Sequence, residues 1–108
     1  MGLDMYIDKC RKLRIVDGKR KYEEREEVCY WRKFWDLLRD GLPFEYRDDE
    51  CGQDVRLSKA DVEHILNYVT HNKDFFNSFD SVPQVCELLD QYDDLEEDGW
   101  IVCFNASW

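Results

Sequence analysis

Glu23-Glu24-Arg25-Glu26-Glu27-Val28-Cys29-Tyr30-Trp31-Arg32-Lys33-Phe34-Trp35-Asp36-Leu37-Leu38-Arg39-Asp40-Gly41 is the stretch on which the fold turns. Val28, Trp31, Trp35, Leu38 and Leu42 recur in steps of three and four, which predicts one apolar stripe along a helix from about Glu24 to Asp40. Tyr30, Phe34 and Leu37 add a second row and widen that face. Glutamates at the front suit the positive end of the helix dipole. Gly41 and Pro43 supply a stop. On this reading the domain packs around the helix.

Before this stretch, Leu3, Met5 and Ile7 alternate with Asp4, Tyr6 and Asp8, the pattern of a half-buried strand. Leu13, Ile15 and Val16 follow, then Asp17-Gly18, a type I′ hairpin signal. Lys19-Arg20-Lys21-Tyr22 makes the returning arm strongly basic, as expected of a charge-protected edge or a loop. After the stretch, residues 42–54 are rich in turn formers and acids, and Val55 and Leu57 predict a very short strand. Ser58-Lys59-Ala60-Asp61 has capping-box spacing, with Asp in place of Glu or Gln. It opens a helix with a stripe of Val62, Ile65, Leu66 and Val69, ending near Asn72. Phe75, Phe76 and Phe79 lie in a connector expected to fold onto the core. Ser81 begins a further helix, with Pro83 in the first turn and a stripe of Val82, Val85, Cys86, Leu89 and Tyr92. Gly99 ends an acidic run, and Trp100-Ile101-Val102-Cys103-Phe104 reads as a closing strand.

The chain has 108 residues, enough for one domain with one modest core. Hydrophobic residues make up 44% and aromatics 15%, so the mean hydropathy of −0.70 reflects charge and not disorder. No apolar run is long enough to span a bilayer, and the N-terminus lacks the pattern of a signal peptide. Cys10, Cys29, Cys51, Cys86 and Cys103 are odd in number and widely spaced, which predicts free, mostly core thiols in a reducing cytoplasm. Net charge is −10, unevenly spread. Residues 1–33 hold ten Lys/Arg against seven Asp/Glu, and residues 34–108 hold five against eighteen. Such an acidic surface repels nucleic acid and attracts basic protein surfaces, when it is not serving solubility alone.

Two segments carry a resemblance. Met1-Gly2-Leu3-Asp4-Met5-Tyr6 and Glu26-Glu27-Val28-Cys29-Tyr30-Trp31-Arg32-Lys33 resemble a group of small uncharacterised bacteriophage and mobile-element proteins, over about a fifth of the chain. Those proteins continue with a histidine before a Trp-Phe pair, where this chain has Phe34-Trp35-Asp36. The resemblance implies a phage or prophage origin and no settled activity. By analogy, short acidic phage proteins of this kind include inhibitors of host machinery such as anti-CRISPR proteins.

Local signatures of chemistry are weak. Asp94 to Asn105 can be laid on a calcium loop, but the bidentate Glu of its last position is replaced by Asn105 and no exiting helix has room. His64 and His71, seven apart on one helix, cannot easily share a metal, and no Cys/His pair has zinc spacing. No cofactor motif, P-loop or dinucleotide fingerprint occurs. Five cysteines and two histidines leave a catalytic pairing open, without a motif to support it.

The expectation is an α+β single domain, residues 1–108, in which a small antiparallel sheet joins the N-terminal strand and hairpin to the C-terminal strand and packs against about three helices. The expected function is binding and inhibition of a host protein with a basic, nucleic-acid-binding surface. Candidate contact residues are Asp48, Asp49 and Glu50, then Asp90, Asp93, Asp94, Glu96, Glu97 and Asp98 as phosphate mimics, with Tyr30 and Phe34 as aromatic contacts. No direct nucleic-acid or membrane binding is expected, and a homodimer is possible. The alternatives are an enzyme acting on a nucleotide or other small molecule and a structural dimer-forming protein.

Overall fold

The structure, a computed structural model, describes residues 3–32, 37–44, 54–72 and 81–108. Its elements are β1 (Asp4–Val16), β2 (Lys19–Arg32), a five-residue π-helical turn (Leu37–Gly41), β3 (Asp54–Leu57), α1 (Lys59–His71), α2 (Ser81–Glu97) and β4 (Ile101–Ser107). The four strands form one antiparallel sheet in the order β2-β1-β4-β3. With its helices this is an α+β fold, as expected.

The expected helix from Glu24 to Asp40 is not formed. Its first half is β2, paired with β1 along the whole hairpin, and among the described residues of its second half only the turn at Leu37–Gly41 is helical. Asp17 and Gly18 have φ of 53° and 76°, so the turn is the two-residue type I′ expected. Counting back from it brings Leu13 opposite Tyr22, Cys10 opposite Arg25 and Met5 opposite Trp31. One irregularity intervenes, where Ile7 faces Cys29 and Asp8 faces Glu27, leaving Val28 as the extra residue of a bulge. Cys29 and Trp31 therefore point into the core beside Met5 and Ile7, while Tyr30 points the other way. Of the residues that look like a helical stripe, Val28 and Trp31 lie on the core side of β2 and Leu38 and Leu42 reach the core from beyond the strand. Trp35 lies outside the described residues, and Tyr30 of the second row faces away.

The remaining expectations fare better. β3 and β4 form where the short alternations lie, and β4 joins the N-terminal strand, Asp4 facing Ser107 and Cys10 facing Ile101. Ser58 and Asp61 make the reciprocal capping box of α1, Oγ of Ser58 accepting from Asp61 N at 3.2 Å and Asp61 Oδ2 accepting from Ser58 N at 2.9 Å. Val62, Ile65 and Val69 are fully buried. α2 ends in a Schellman motif, with Trp100 N donating to Leu95 O at 2.9 Å, Gly99 N to Glu96 O at 3.1 Å, and Gly99 at φ 82°. Its buried face is Val85, Leu88 and Tyr92, whose hydroxyl donates to Leu57 O at 2.7 Å. Cys86, placed in the stripe from the sequence, is exposed, because Leu88 takes the inward position.

Gly41 has a role beyond ending a helix. A Cβ there would lie 2.6 Å from Leu37 Cδ1 and 2.7 Å from the Tyr68 ring. Gly41→Ala is expected to cost about 1–3 kcal/mol through forced repacking, to be read from denaturant unfolding. A variant of unchanged stability would show that the π-helical turn does not press against α1.

Candidate functional site

α2 packs across β2 on the core side of the sheet, and the two leave an open cleft of about 200 Å³. Val28, Leu88 and Leu95 supply its apolar surface. Glu26 and Glu27 stand on the strand side and Gln84, Glu87 and Gln91 on the helix side. Lys9, also in the lining, is held to Glu26 at 3.0 Å and lies 5.1 Å from the Trp100 ring centre. Arg11 sits over the same ring at 4.2 Å. The cleft thus has three carboxylates against one lysine that is already paired. Glu87, Asp90 and Asp94 recur at three- and four-residue steps, so they share one edge of α2 and extend the negative rim beyond the cleft.

Of the carboxylates expected to bind, Asp90, Asp93, Asp94, Glu96, Glu97 and Asp98 are all exposed, on or just after the last two turns of α2. They do not form one surface. Asp93 turns toward α1 and pairs with Lys59 at 2.9 Å, while Asp90 and Asp94 follow the cleft edge. Among the described residues no other member of the run has an ion-pair partner. Carboxylates at a helix C-terminus face the negative end of its dipole, an unfavourable placement for stability that a cationic partner would relieve. Tyr30 is not part of this surface. It lies on the opposite sheet face, its hydroxyl donating to Asp4 Oδ1 at 2.6 Å and its ring 4.9 Å from that of Tyr6. Asp48, Asp49, Glu50 and Phe34 lie outside the described residues.

That opposite face carries a cluster which local sequence motifs do not reveal. Arg25 of β2 donates from Nε to Asp8 Oδ2 at 2.8 Å and from Nη2 to Asp54 Oδ1 of β3, joining the two outermost strands of the sheet. Asn105 Nδ2 adds a bond to Asp54 at 3.3 Å. Asp8 is 7% exposed, and burial raises its pKa against the opposing pull of Arg25. Beside it Cys10 and Cys103, both buried, sit diagonally across β1 and β4. The Cys103 thiol donates to the Cys10 sulfur, which lowers the pKa of Cys10 and raises that of Cys103. The hairpin register is the signal that could have found this cluster, since it aligns Asp8, Cys10 and Arg25 on one face.

Thiol accessibility follows. Cys86 is exposed, Cys10 and Cys103 are enclosed, and burial raises Cys29 to about 12. Alkylation of the native protein at neutral pH is expected to label Cys86 well ahead of Cys10, Cys29 and Cys103, as mapped by peptide mass spectrometry. Early labelling of Cys10 would show that the pair opens readily.

Histidine chemistry gains nothing from the fold. His64 and His71 are exposed on α1, His71 Nδ1 lying 2.7 Å from Asn67 O, and the cleft is lined by neither histidine nor cysteine. Among the described residues no three His, Cys, Asp or Glu side chains are grouped to hold a metal ion, and no helix is long and apolar enough to cross a membrane. Comparison with protein-family models, with curated proteins and with solved structures yields no match.

Proposed function

We propose that the protein acts by binding, and that its partner is a protein with a basic surface of the kind that meets nucleic acid. The contact is the cleft between β2 and α2 together with the Glu87, Asp90 and Asp94 edge. The observation that supports this reading is the concentration of exposed carboxylates at the C-terminal end of α2, of which Asp93 alone has an ion-pair partner among the described residues, continuous with a cleft whose only described cation, Lys9, is tied to Glu26. A lysine or arginine entering there meets carboxylate acceptors on both walls, and its stem lies on Val28 and Leu95. The phage-protein resemblance supports an inhibitor that takes the place of phosphates on a host protein, as anti-CRISPR proteins of the mimic type do.

The test uses immobilised protein and host lysate at low ionic strength. A retained basic protein should be displaced by competing duplex DNA and by salt. Asp90→Lys with Asp94→Lys should reduce retention on the order of tenfold or more, as expected for reversed charges at a contact. Retention unchanged by both substitutions, or failure of DNA to compete, would sink the phosphate-mimic reading.

A further inference from the structure

Among the described strands, β1 and β2 pair only with each other beyond Cys10, where Arg11 still rests on the Trp100 ring. β4 pairs with β1 only as far as Cys10, so residues 11–24 form a two-stranded arm that leaves the sheet. From Cys10 to Val16 the arm extends on the order of 20 Å at strand rise. It carries the large aliphatic side chains most open to solvent among the described residues, Leu13 at 49%, Ile15 at 73% and Val16 at 42% exposure. Around them residues 11–24 hold six Lys/Arg and three Asp/Glu, in a chain whose net charge is −10. An isolated two-stranded ribbon with solvated aliphatics is marginal in water, and such a patch marks an interaction surface.

Opposite charge and apolar lining occur together elsewhere on the same molecule. α2 ends at Glu97 and leads through Gly99 and Trp100 into Ile101, which pairs with Cys10 at the root of the arm. The acidic end of the helix therefore lies at the root, with partly buried Val28, Leu95 and Trp100 nearby, while the exposed aliphatics lie toward the tip. Two copies set arm against arm in opposite directions would each place tip on root. Both contacts then form at once about a two-fold axis, and the assembly closes without leaving an open end.

We propose that the arm docks on a second copy of this chain, with Leu13 and Ile15 on the Val28–Leu95 side of the partner's cleft and the arm's cations beside its α2 carboxylates. Such a dimer does not depend on the host partner. It has the consequence that a basic partner and the second copy's arm compete for one surface.

Analytical ultracentrifugation over a range of concentration and salt tests this with the whole chain. Wild-type protein should dimerise, more weakly as salt rises. Ile15→Glu, in the arm, and Asp94→Lys, on α2, should each raise the dimer dissociation constant on the order of tenfold or more, the loss of an apolar anchor or of a charge contact made twice. Mixing the two variants should restore dimer, because an intact arm then meets an intact helix once in each pair, a recovery that misfolding of either variant could not produce. A monomeric wild type overturns the proposal. So does a dimer indifferent to Asp94→Lys, which would mean arm-to-arm contact, or a mixture no tighter than its components. A monomer whose arm instead takes it onto anionic vesicles or duplex DNA would give the arm another occupant and equally overturn it.

Discussion

Trp31→Ala is expected to cost about 3–5 kcal/mol, a large part of the stability of a domain this size. Among the described residues Trp31 is the largest fully buried side chain, on β2 opposite Met5 and in the cluster formed by both helices and the sheet. Its removal leaves a cavity that the surrounding strands cannot close, and the melting temperature should fall on the order of 15 °C. The neighbouring substitution makes the test specific. Tyr30→Ala should cost only about 1 kcal/mol, because Tyr30 gives up a hydrogen bond to Asp4 and a ring contact with Tyr6 on the other face of the sheet. In a helix carrying both residues on one broad apolar face, the two losses would be similar. Calorimetric or denaturant unfolding of the pair decides between them.

Arg25→Met is the second large effect. It removes the cation shared by Asp8 and Asp54 and leaves Asp8, 7% exposed, as a buried carboxylate without its ion pair. Breaking a fully buried pair costs roughly 3–5 kcal/mol; with the Arg25 side chain 39% exposed, about 2 kcal/mol is expected at neutral pH. The pH dependence identifies the cause. Burial already raises Asp8 above its ordinary 3.8, and Arg25 opposes that rise. A carboxylate raised by folding contributes fully below its unfolded pKa, and that contribution is lost as pH rises through the folded value. Without Arg25 the folded value moves higher and the loss deepens, so the variant should approach wild type near about pH 4 and fall away toward neutrality. Asp8→Asn added to Arg25→Met should recover much of the deficit at neutral pH. A pH-independent deficit would assign the loss to the packing of the Arg25 stem.

Much of this fold is legible in the residues, and the failure at β2 has a physical origin. The capping box at Ser58 and Asp61, the stripe of α1, the type I′ turn and the closing strand are each set by local chemistry that tertiary contacts leave in place. The run from Glu23 to Arg32 supports two periods. Steps of three and four link Val28, Trp31 and Trp35, while a step of two links Cys29 and Trp31. Helix propensity of the glutamates favours the first reading, yet a hairpin turn fixed at Asp17-Gly18 obliges the returning arm to pair with a strand that starts near Leu3. Counting outward from that turn reaches Arg32, and the β-forming Val28, Tyr30 and Trp31 are compatible with it. The bulge at Val28 hides the alternation, since one extra residue shifts the face of everything beyond it.

The acidic run was equally visible, but its division was not. Pairing of Asp93 with Lys59 separates it from Asp90 and Asp94, and the cleft adds Glu26, Glu27 and Glu87, which no local motif singles out. The Asp8–Arg25–Asp54 cluster depends on strand register and was beyond any reading that made Arg25 helical.

Both the cleft and the projecting arm exist only if residues 19–32 are a strand. Backbone NOEs of the labelled protein measure this directly. Cross-strand contacts linking Tyr6 with Tyr30, Cys10 with Arg25 and Leu13 with Tyr22 are expected, with slow amide exchange along the part of the hairpin flanked by β4. A continuous series of amide–amide and three-residue-spaced contacts from Glu24 through Arg32, without those cross-strand contacts, would contradict the strand and remove the cleft and the arm with it.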